Sequence, residues 1–233
     1  MSAPAQPLGA LLARFALTGG QIEHLAAVLE ELGRDEHAPT AVRDTEEATK
    51  VHVADALVAL DVDGLRASRT VADVGAGAGF PGLPIAVALP DVEVRLVESQ
   101  QRKCQFIRSL AAAAGIVNVS IVCARAEEWD DGIGANDAVL ARALAPQPVV
   151  LEYAAPLLRL GGTLIDWRGR RNDAEERAAA GAAQTLGLRP AEVRHVEPFA
   201  GATDRHLHVF VKERETPDRF PRRAGIARKR PLG

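Results

Sequence analysis

Glycine recurs at alternate positions in Asp73-Val74-Gly75-Ala76-Gly77-Ala78-Gly79-Phe80-Pro81-Gly82, and a carboxylate, Glu98, ends the next apolar run, Arg95-Leu96-Val97-Glu98-Ser99. Glycines at this spacing let the backbone turn tightly and let a ligand lie against it with no Cβ in between. Where such a loop joins a strand to a helix, it marks the crevice at the carboxyl edge of a parallel sheet, the place for nucleoside-bearing cofactors. Gly77 to Gly82 also satisfies G-x-G-x-x-G, the spacing that cradles a dinucleotide pyrophosphate.

Three features weigh against a nicotinamide or flavin. The loop is denser than that fingerprint, reading D-x-G-x-G-x-G from Asp73. Pro81 removes an N–H at the start of the following helix, where a pyrophosphate seeks donors. The last two strands of the chain lack a crossover helix between them. S-adenosylmethionine has no phosphate; it asks for close backbone approach to its methionine moiety and for a carboxylate at its ribose diol. Glu98 is placed to accept from both ribose hydroxyls, at roughly 1.5–3 kcal/mol each for bonds to a charged acceptor. Asp73 either orients the loop or reaches the ligand through water. After the third strand, the backbone at Ala126 and Glu127 can bound the adenine edge; the alternative is a helix start favoured by acidic residues.

The fourth strand ends in Leu140-Ala141-Arg142-Ala143. It carries no Asp/Asn-Pro-Pro-aromatic motif, which methylation of an exocyclic amine requires, and no cysteine, which attack at cytosine C5 requires. The acceptor is then an atom needing no activation, and no residue is assigned as a catalytic acid or base. Arg142 can fix the methionine carboxylate, a base edge or a phosphate; its other reading is a structural ion pair. His52 reads as a packing or capping residue before a substrate contact. Cys104 and Cys123 match no metal or redox spacing and read as two unpaired, small buried residues in a reducing cytoplasm.

These residues need a scaffold, and the pattern supplies one. Residues 1–68 read as a helical region, with apolar stripes at Leu8, Leu11, Leu12 and Phe15, at Ile22 to Leu32, and in a third helix capped by Thr45. Residues 69–213 alternate strands and helices. Strands are expected at 70–74, 92–98, 119–123, 138–141 and 162–167, with helices starting near Pro81, Ser99, Glu127 and Pro146. After a polar helix over 173–186, strands at 191–196 and 206–212 form an antiparallel pair at the sheet edge. The fold class is α/β, a seven-stranded, mostly parallel sheet covered on both faces.

The chain of 233 residues has a net charge of −3, distributed unevenly. From Glu213 to Gly233 the net charge is +4, leaving −7 on the body. A basic tail on an acidic body suits a polyanionic partner. Residues 214–233, punctuated by proline and glycine, read as an extended tail, and Arg222, Arg223, Arg228, Lys229 and Arg230 as contacts to an RNA backbone. Nine aromatic residues are too few for broad stacking on single-stranded bases. No signal peptide, membrane span or metal motif is read, so a cytoplasmic monomer is expected.

Taken together, D-V-G-A-G-A-G-F-P-G-L-P-I-A at 73–86, L-V-E-S at 96–99, R-A-E at 125–127, A-R-A at 141–143, L-L-R-L-G-G at 157–162 and the tail F-P-R-R-A-G-I-A-R-K-R-P-L at 220–232 resemble the bacterial 16S rRNA guanine-N7 methyltransferase family. The likeness runs from about residue 45 to the end. It implies a class I methyltransferase fold of Rossmann type, S-adenosylmethionine as methyl donor, and a guanosine of 16S rRNA, as rRNA or in a small-subunit precursor, as acceptor. Cofactor contacts carried over from the family fall on Gly75, Phe80, Ala126, Glu127 and Arg142, with Glu98 at the ribose. Where the family has His-Phe-x-Asp-Ser-Leu, this chain has His52-Val53-Ala54-Asp55-Ala56-Leu57, and Trp167-Arg168-Gly169 stands where a Lys-Gly pair is common. Arg168 keeps the charge and is a further candidate for RNA. A methyltransferase of the same fold acting on another RNA site or on a small molecule is the alternative.

Overall fold

The computed structural model describes residues 6–36, 38–42 and 44–233; the side chains of Gln6, Pro7 and Leu12 lie outside that description. Seven strands form one sheet: β1 (Thr70–Val74), β2 (Glu93–Val97), β3 (Val119–Val122), β4 (Asn136–Arg142), β5 (Leu158–Arg168), β6 (Leu188–His195) and β7 (His206–Lys212). Their order is β3-β2-β1-β4-β5-β7-β6. All contacts from β3 to β5 are parallel, and β7 runs antiparallel between β5 and β6. The closing pair is thus antiparallel as expected, with β6 taking the edge. Strand order reverses at β1 and β4, which opens a crevice at their carboxyl ends.

Period-two alternation splits the apolar residues between two cores. Val71, Val94, Leu96, Ala138 and Leu140 face one; Ala72, Val74, Val97, Val139 and Ala141 face the other. The first core is covered by α1 (Gln6–Phe15), α2 (Gly19–Arg34), α3 (Gly82–Ala88) and α4 (Gln101–Ala113), the second by α5 (Gln147–Ala154) and α6 (Asp173–Leu186). Helix α2 starts where Thr18 and Gln21 cap each other: Thr18 Oγ1 accepts from Gln21 N at 3.3 Å and Gln21 Oε1 from Thr18 N at 2.8 Å. Its Ile22, Leu25, Val28, Leu29 and Leu32 then lie on one buried stripe.

The third helical stretch departs from expectation. Asp44, not Thr45, is its N-cap: the Asp44 carboxylate accepts from Glu47 N at 2.9 Å, so Thr45 becomes the first helical residue. After Thr45–Ala48 the helix widens into a π-helix over Thr49–Ala54, then continues through Asp55–Leu57 and a 3₁₀ turn at Val58–Asp61. The helix expected from Glu127 does not form. Only single 3₁₀ turns at Ala126–Glu128 and Asp130–Gly132 lie there, because this stretch offers acids and glycines but no apolar stripe.

Two further expectations are corrected. Cys104 on α4 and Cys123 after β3 are not unpaired; they form a disulfide, because the parallel β2–β3 crossover returns α4 over β3 with Cα atoms 5.9 Å apart. The tail is not a free extended end. Phe220 and Ala227 are buried in the second core, and Ile226–Lys229 forms a helical turn. Arg222 reaches the buried Glu152 of α5 with two bonds, Nε to Oε1 at 2.6 Å and a terminal nitrogen to Oε2 at 2.5 Å. The buried Glu152 carboxylate takes its counter-charge from the tail, which places Arg222 against the body.

Candidate functional site

The crevice holds a cavity of about 420 Å³. Its floor is the turn after β1. Glu98 is buried at the end of β2, where Oε2 accepts from Gly77 N at 3.1 Å and Oε1 from Gln100 N at 2.8 Å. Gly77 has φ +61°, and a Cβ there would meet only the Gly75 carbonyl, 3.7 Å away, and otherwise stand in the space beside the wall. The loop is therefore shaped to leave room, and the Glu98 carboxylate beside it is pre-positioned by backbone donors.

Asp73 supports this loop from behind. It is fully buried, Oδ2 accepts from Gly82 N at 2.8 Å, and burial pushes its pKa up to about 7 against the opposing Gly82 bond and the Arg142 charge. A Cβ on Gly82 would strike Leu96 and this carboxylate, so only glycine lets α3 start so close to β1. Of the sequence candidates, Gly75, Gly77, Phe80, Glu98, Ala126, Glu127 and Arg142 line the cavity. Asp73 and Gly79 do not: Asp73 braces the loop, and Gly79 leaves room for Leu83.

The cavity is completed by residues outside the glycine loop, among them Arg228, which the sequence marked only as an RNA contact. Pro39 and Thr40 come from the segment before the third helical stretch, Tyr153 from α5 and Arg228 from the tail. Glu127 on the turn after β3 accepts from Gly225 N at 3.0 Å, and an Arg228 terminal nitrogen donates to the Leu144 carbonyl at 3.0 Å. The tail thus straps the cavity's edge.

A second cavity, about 500 Å³, shares His52, Arg142 and Ala143 with the first and adds Asp55, Trp167, Arg168 and Arg205. His52 stacks on Phe80 with centroids 4.5 Å apart, and its Nε2 lies 3.0 Å from Thr40 Oγ1. Burial, with Arg142 nearby, pushes His52 down to about 4, so the ring is neutral around pH 7. Arg142 donates to the Val51 carbonyl at 3.0 Å and to Asp55 Oδ2 at 2.9 Å. It is ion-paired, as one reading had it, and it also stands on the cavity wall. Arg168 is held inward, donating to the Ala145 carbonyl at 2.9 Å and to Glu175. Arg223, Lys229 and Arg230 are exposed on the tail. Among the described residues, no group of three or more His, Cys, Asp or Glu is placed to hold a metal, and no helix is long and apolar enough to cross a membrane.

Solved structures share this fold. An S-adenosylmethionine-dependent methyltransferase from Aquifex aeolicus superposes with a TM-score of 0.57 at 17% identity, covering 71% of this chain and 93% of that one. Aeropyrum pernix fibrillarin, bound to S-adenosyl-L-methionine, gives 0.55 at 17% identity, covering 68% and 73%. Sequence relatives are much nearer. "Ribosomal RNA small subunit methyltransferase G" of Rubrobacter xylanophilus is 41% identical over 82% of this chain and 75% of its own length. The protein of that name from Deinococcus deserti is 36% identical over 91% of this chain and 88% of its own. The family described as rRNA small subunit methyltransferase G matches residues 20–208. With its glycine loop, Glu98 and Arg142 inside that match, the chain belongs to the rRNA small subunit methyltransferase G family.

Proposed function

We propose that the protein transfers a methyl group from S-adenosylmethionine to N7 of a guanosine in 16S rRNA, in the compartment where ribosomes are assembled. The observation that carries this reading is the junction of two cavities at Arg142: one with a glycine floor and the buried Glu98 carboxylate, the other of about 500 Å³. Membership of a family named for small-subunit rRNA methylation supports the substrate.

The first cavity fits the cofactor. Glu98 would hold the ribose diol, Gly75 and Gly77 would lie against the methionine moiety, and Ala126 and Glu127 would bound the adenine. Phe80, stacked on His52, closes the wall between. Bound there, S-adenosylmethionine supplies an electrophilic methyl on a sulfonium. Guanine N7 carries an in-plane lone pair and no proton. It would accept that methyl without first losing a proton, so this chain's residues have only to hold the two partners in line. No base is then required, and the Arg142–Asp55 ion pair beside the cavities serves to position. Positioning then carries the rate. The exposed Arg223, Lys229 and Arg230, beside Arg228, would meet RNA phosphates. With some three phosphates neutralised, affinity should fall with log salt at a slope of about 2, at roughly 0.7 per phosphate of single strand.

The direct test is mass mapping of modified nucleosides in 16S rRNA from cells with and without this gene. Loss of one 7-methylguanosine is expected; an unchanged map, or loss at a different kind of nucleoside, rejects the assignment.

A further inference from the structure

Two buried polar atoms without a hydrogen-bond partner among the described residues, Asp55 Oδ1 and His52 Nδ1, lie at the junction of the two cavities. Both residues come from the widened stretch at Thr49–Ala54 and its exit. A π-helix is rare, and a single turn of it within an α-helix frequently marks a functional site. Here it brings Asp55 under β4, where Oδ2 takes Arg142 at 2.9 Å and the backbone carbonyl takes Trp167 Nε1 at 2.8 Å. Oδ1 is left over. Among the described residues it has an ion partner, Arg205 Nε at 3.7 Å, beyond hydrogen-bond distance and on a side chain 45% exposed. A buried carboxylate oxygen with no hydrogen bond costs free energy that native proteins normally avoid.

We infer that Asp55 and Arg142 together read the acceptor base, Arg142 donating to guanine O6 and Asp55 Oδ1 accepting from guanine N1–H. The inference rests on the proposed guanosine substrate and names the groups that would select it. Side by side, the ion pair presents a donor and an acceptor. Guanine presents O6, an acceptor, beside N1–H, a donor. Adenine presents the reverse, an amino donor beside N1, so the same pair meets it donor to donor and acceptor to lone pair. Adenine also has an N7 lone pair, so the chemistry at N7 does not by itself exclude it; an edge reader must. O6 lies next to N7 on the purine, so a base held by O6 and N1 at the Arg142 wall keeps N7 towards the first cavity.

The same pairing favours the reaction. Methylation makes the purine cationic and its N1–H more acidic, so the bond to the Asp55 carboxylate strengthens as the methyl transfers. The ion pair itself is neutral overall, so Arg142 does not set a bare cation against the charge that develops.

The test uses the full-length protein and two variants. Asp55→Asn can keep an oxygen on Arg142 and turn its amide donor to the Oδ1 position, which opposes guanine N1–H and suits adenine N1. Asp55→Ala removes the acceptor without adding a donor. Small subunits carrying guanosine or adenosine at the methylated position are compared under single turnover, with S-adenosylmethionine affinity measured separately by calorimetry. The expected result is a 10- to 100-fold smaller guanosine-to-adenosine ratio in Asp55→Asn, a smaller fall in Asp55→Ala, and cofactor affinity within about threefold of wild type. A ratio unchanged in both variants, whatever happens to the absolute rate, overturns the inference and leaves Asp55 as a support for Arg142. If the wild type methylates no guanosine, the proposed activity fails by itself. The edge reading is then judged by saturation-transfer NMR of guanosine against adenosine monophosphate: a guanosine preference lost in Asp55→Asn sustains it, and no preference in the wild type ends it.

Discussion

Replacing Arg222 by alanine tests whether the tail is part of the folded body. Glu152 is fully buried, and its carboxylate is met by two charge-assisted bonds of 2.6 and 2.5 Å from Arg222. Removing one partner of a buried pair leaves an uncompensated charge and costs about 3–5 kcal/mol. The Arg222 side chain is 23% exposed, so water already reaches the pair, and the lower end, about 3 kcal/mol, applies. The chain has an escape: it can release the tail and let water reach Glu152. That gives up the burial of Phe220, about 1.5–3 kcal/mol, and the bonds from Gly225 to Glu127 and from Arg228 to Leu144, about 1 kcal/mol each. The two costs are of similar size, so both outcomes should be populated.

Urea denaturation followed by circular dichroism should therefore show Arg222→Ala less stable by about 2–3 kcal/mol. Trypsin should cut the variant at Arg223 or Arg228 much faster than the wild type. S-adenosylmethionine should bind several-fold more weakly, because the strap across Glu127 loosens. Pairing Glu152→Leu with Arg222→Leu should restore most of the stability, since an apolar pair needs no counter-charge. An Arg222→Ala protein as stable and as trypsin-resistant as the wild type would refute the reasoning and return the tail to solvent.

Other expectations are as direct. Glu98→Ala should weaken S-adenosylmethionine binding at least tenfold in calorimetry, through the lost ribose contacts and the freed Gly77 and Gln100 amides; unchanged affinity would remove Glu98 from the ribose. Asp166, buried beside Gln147, has its pKa pushed up to about 7 by burial, against the Arg168 charge. Its stabilising contribution is full below about pH 4 and is lost as pH rises to about 7. Asp166→Asn mimics the protonated form, so it should gain stability over wild type at pH 8 and little at pH 4; an equal gap at both would sink the assignment. Replacing Cys104 and Cys123 by serine should cost about 3 kcal/mol in oxidising buffer, by loop-closure entropy, and nothing relative to reduced wild type. Equal stability under oxidising conditions would show that the bond contributes nothing.

Much of the site was legible because it is local. Gly75, Gly77, Phe80 and Glu98 are separated by a strand, a turn and a short helix, and that spacing alone brings them to one edge of the sheet. Helix α6 and strand β7 form with the bounds their patterns imply, since each has a clear period and clear ends. Asp73 was legible only as one of two roles, because a strand residue's face becomes known once its neighbours are placed. The helix after β3 failed for want of an apolar face. The free tail failed because charge composition does not reveal that a buried Glu152 is waiting for one of its arginines.

From the residues alone follow the alternation of strands and helices, the glycine turn and the carboxylate that suits a ribose, because each is written in a local pattern of the chain. Folding decided the rest. It put Asp55 against Arg142, 87 positions apart, and Gly225 against Glu127, 98 apart. It paired Cys104 with Cys123 and turned one basic residue of the tail inward. Such pairings answer to burial: a charge or a polar atom cut off from water takes whatever partner the packed chain brings to it, and the packing is a property of all the elements at once.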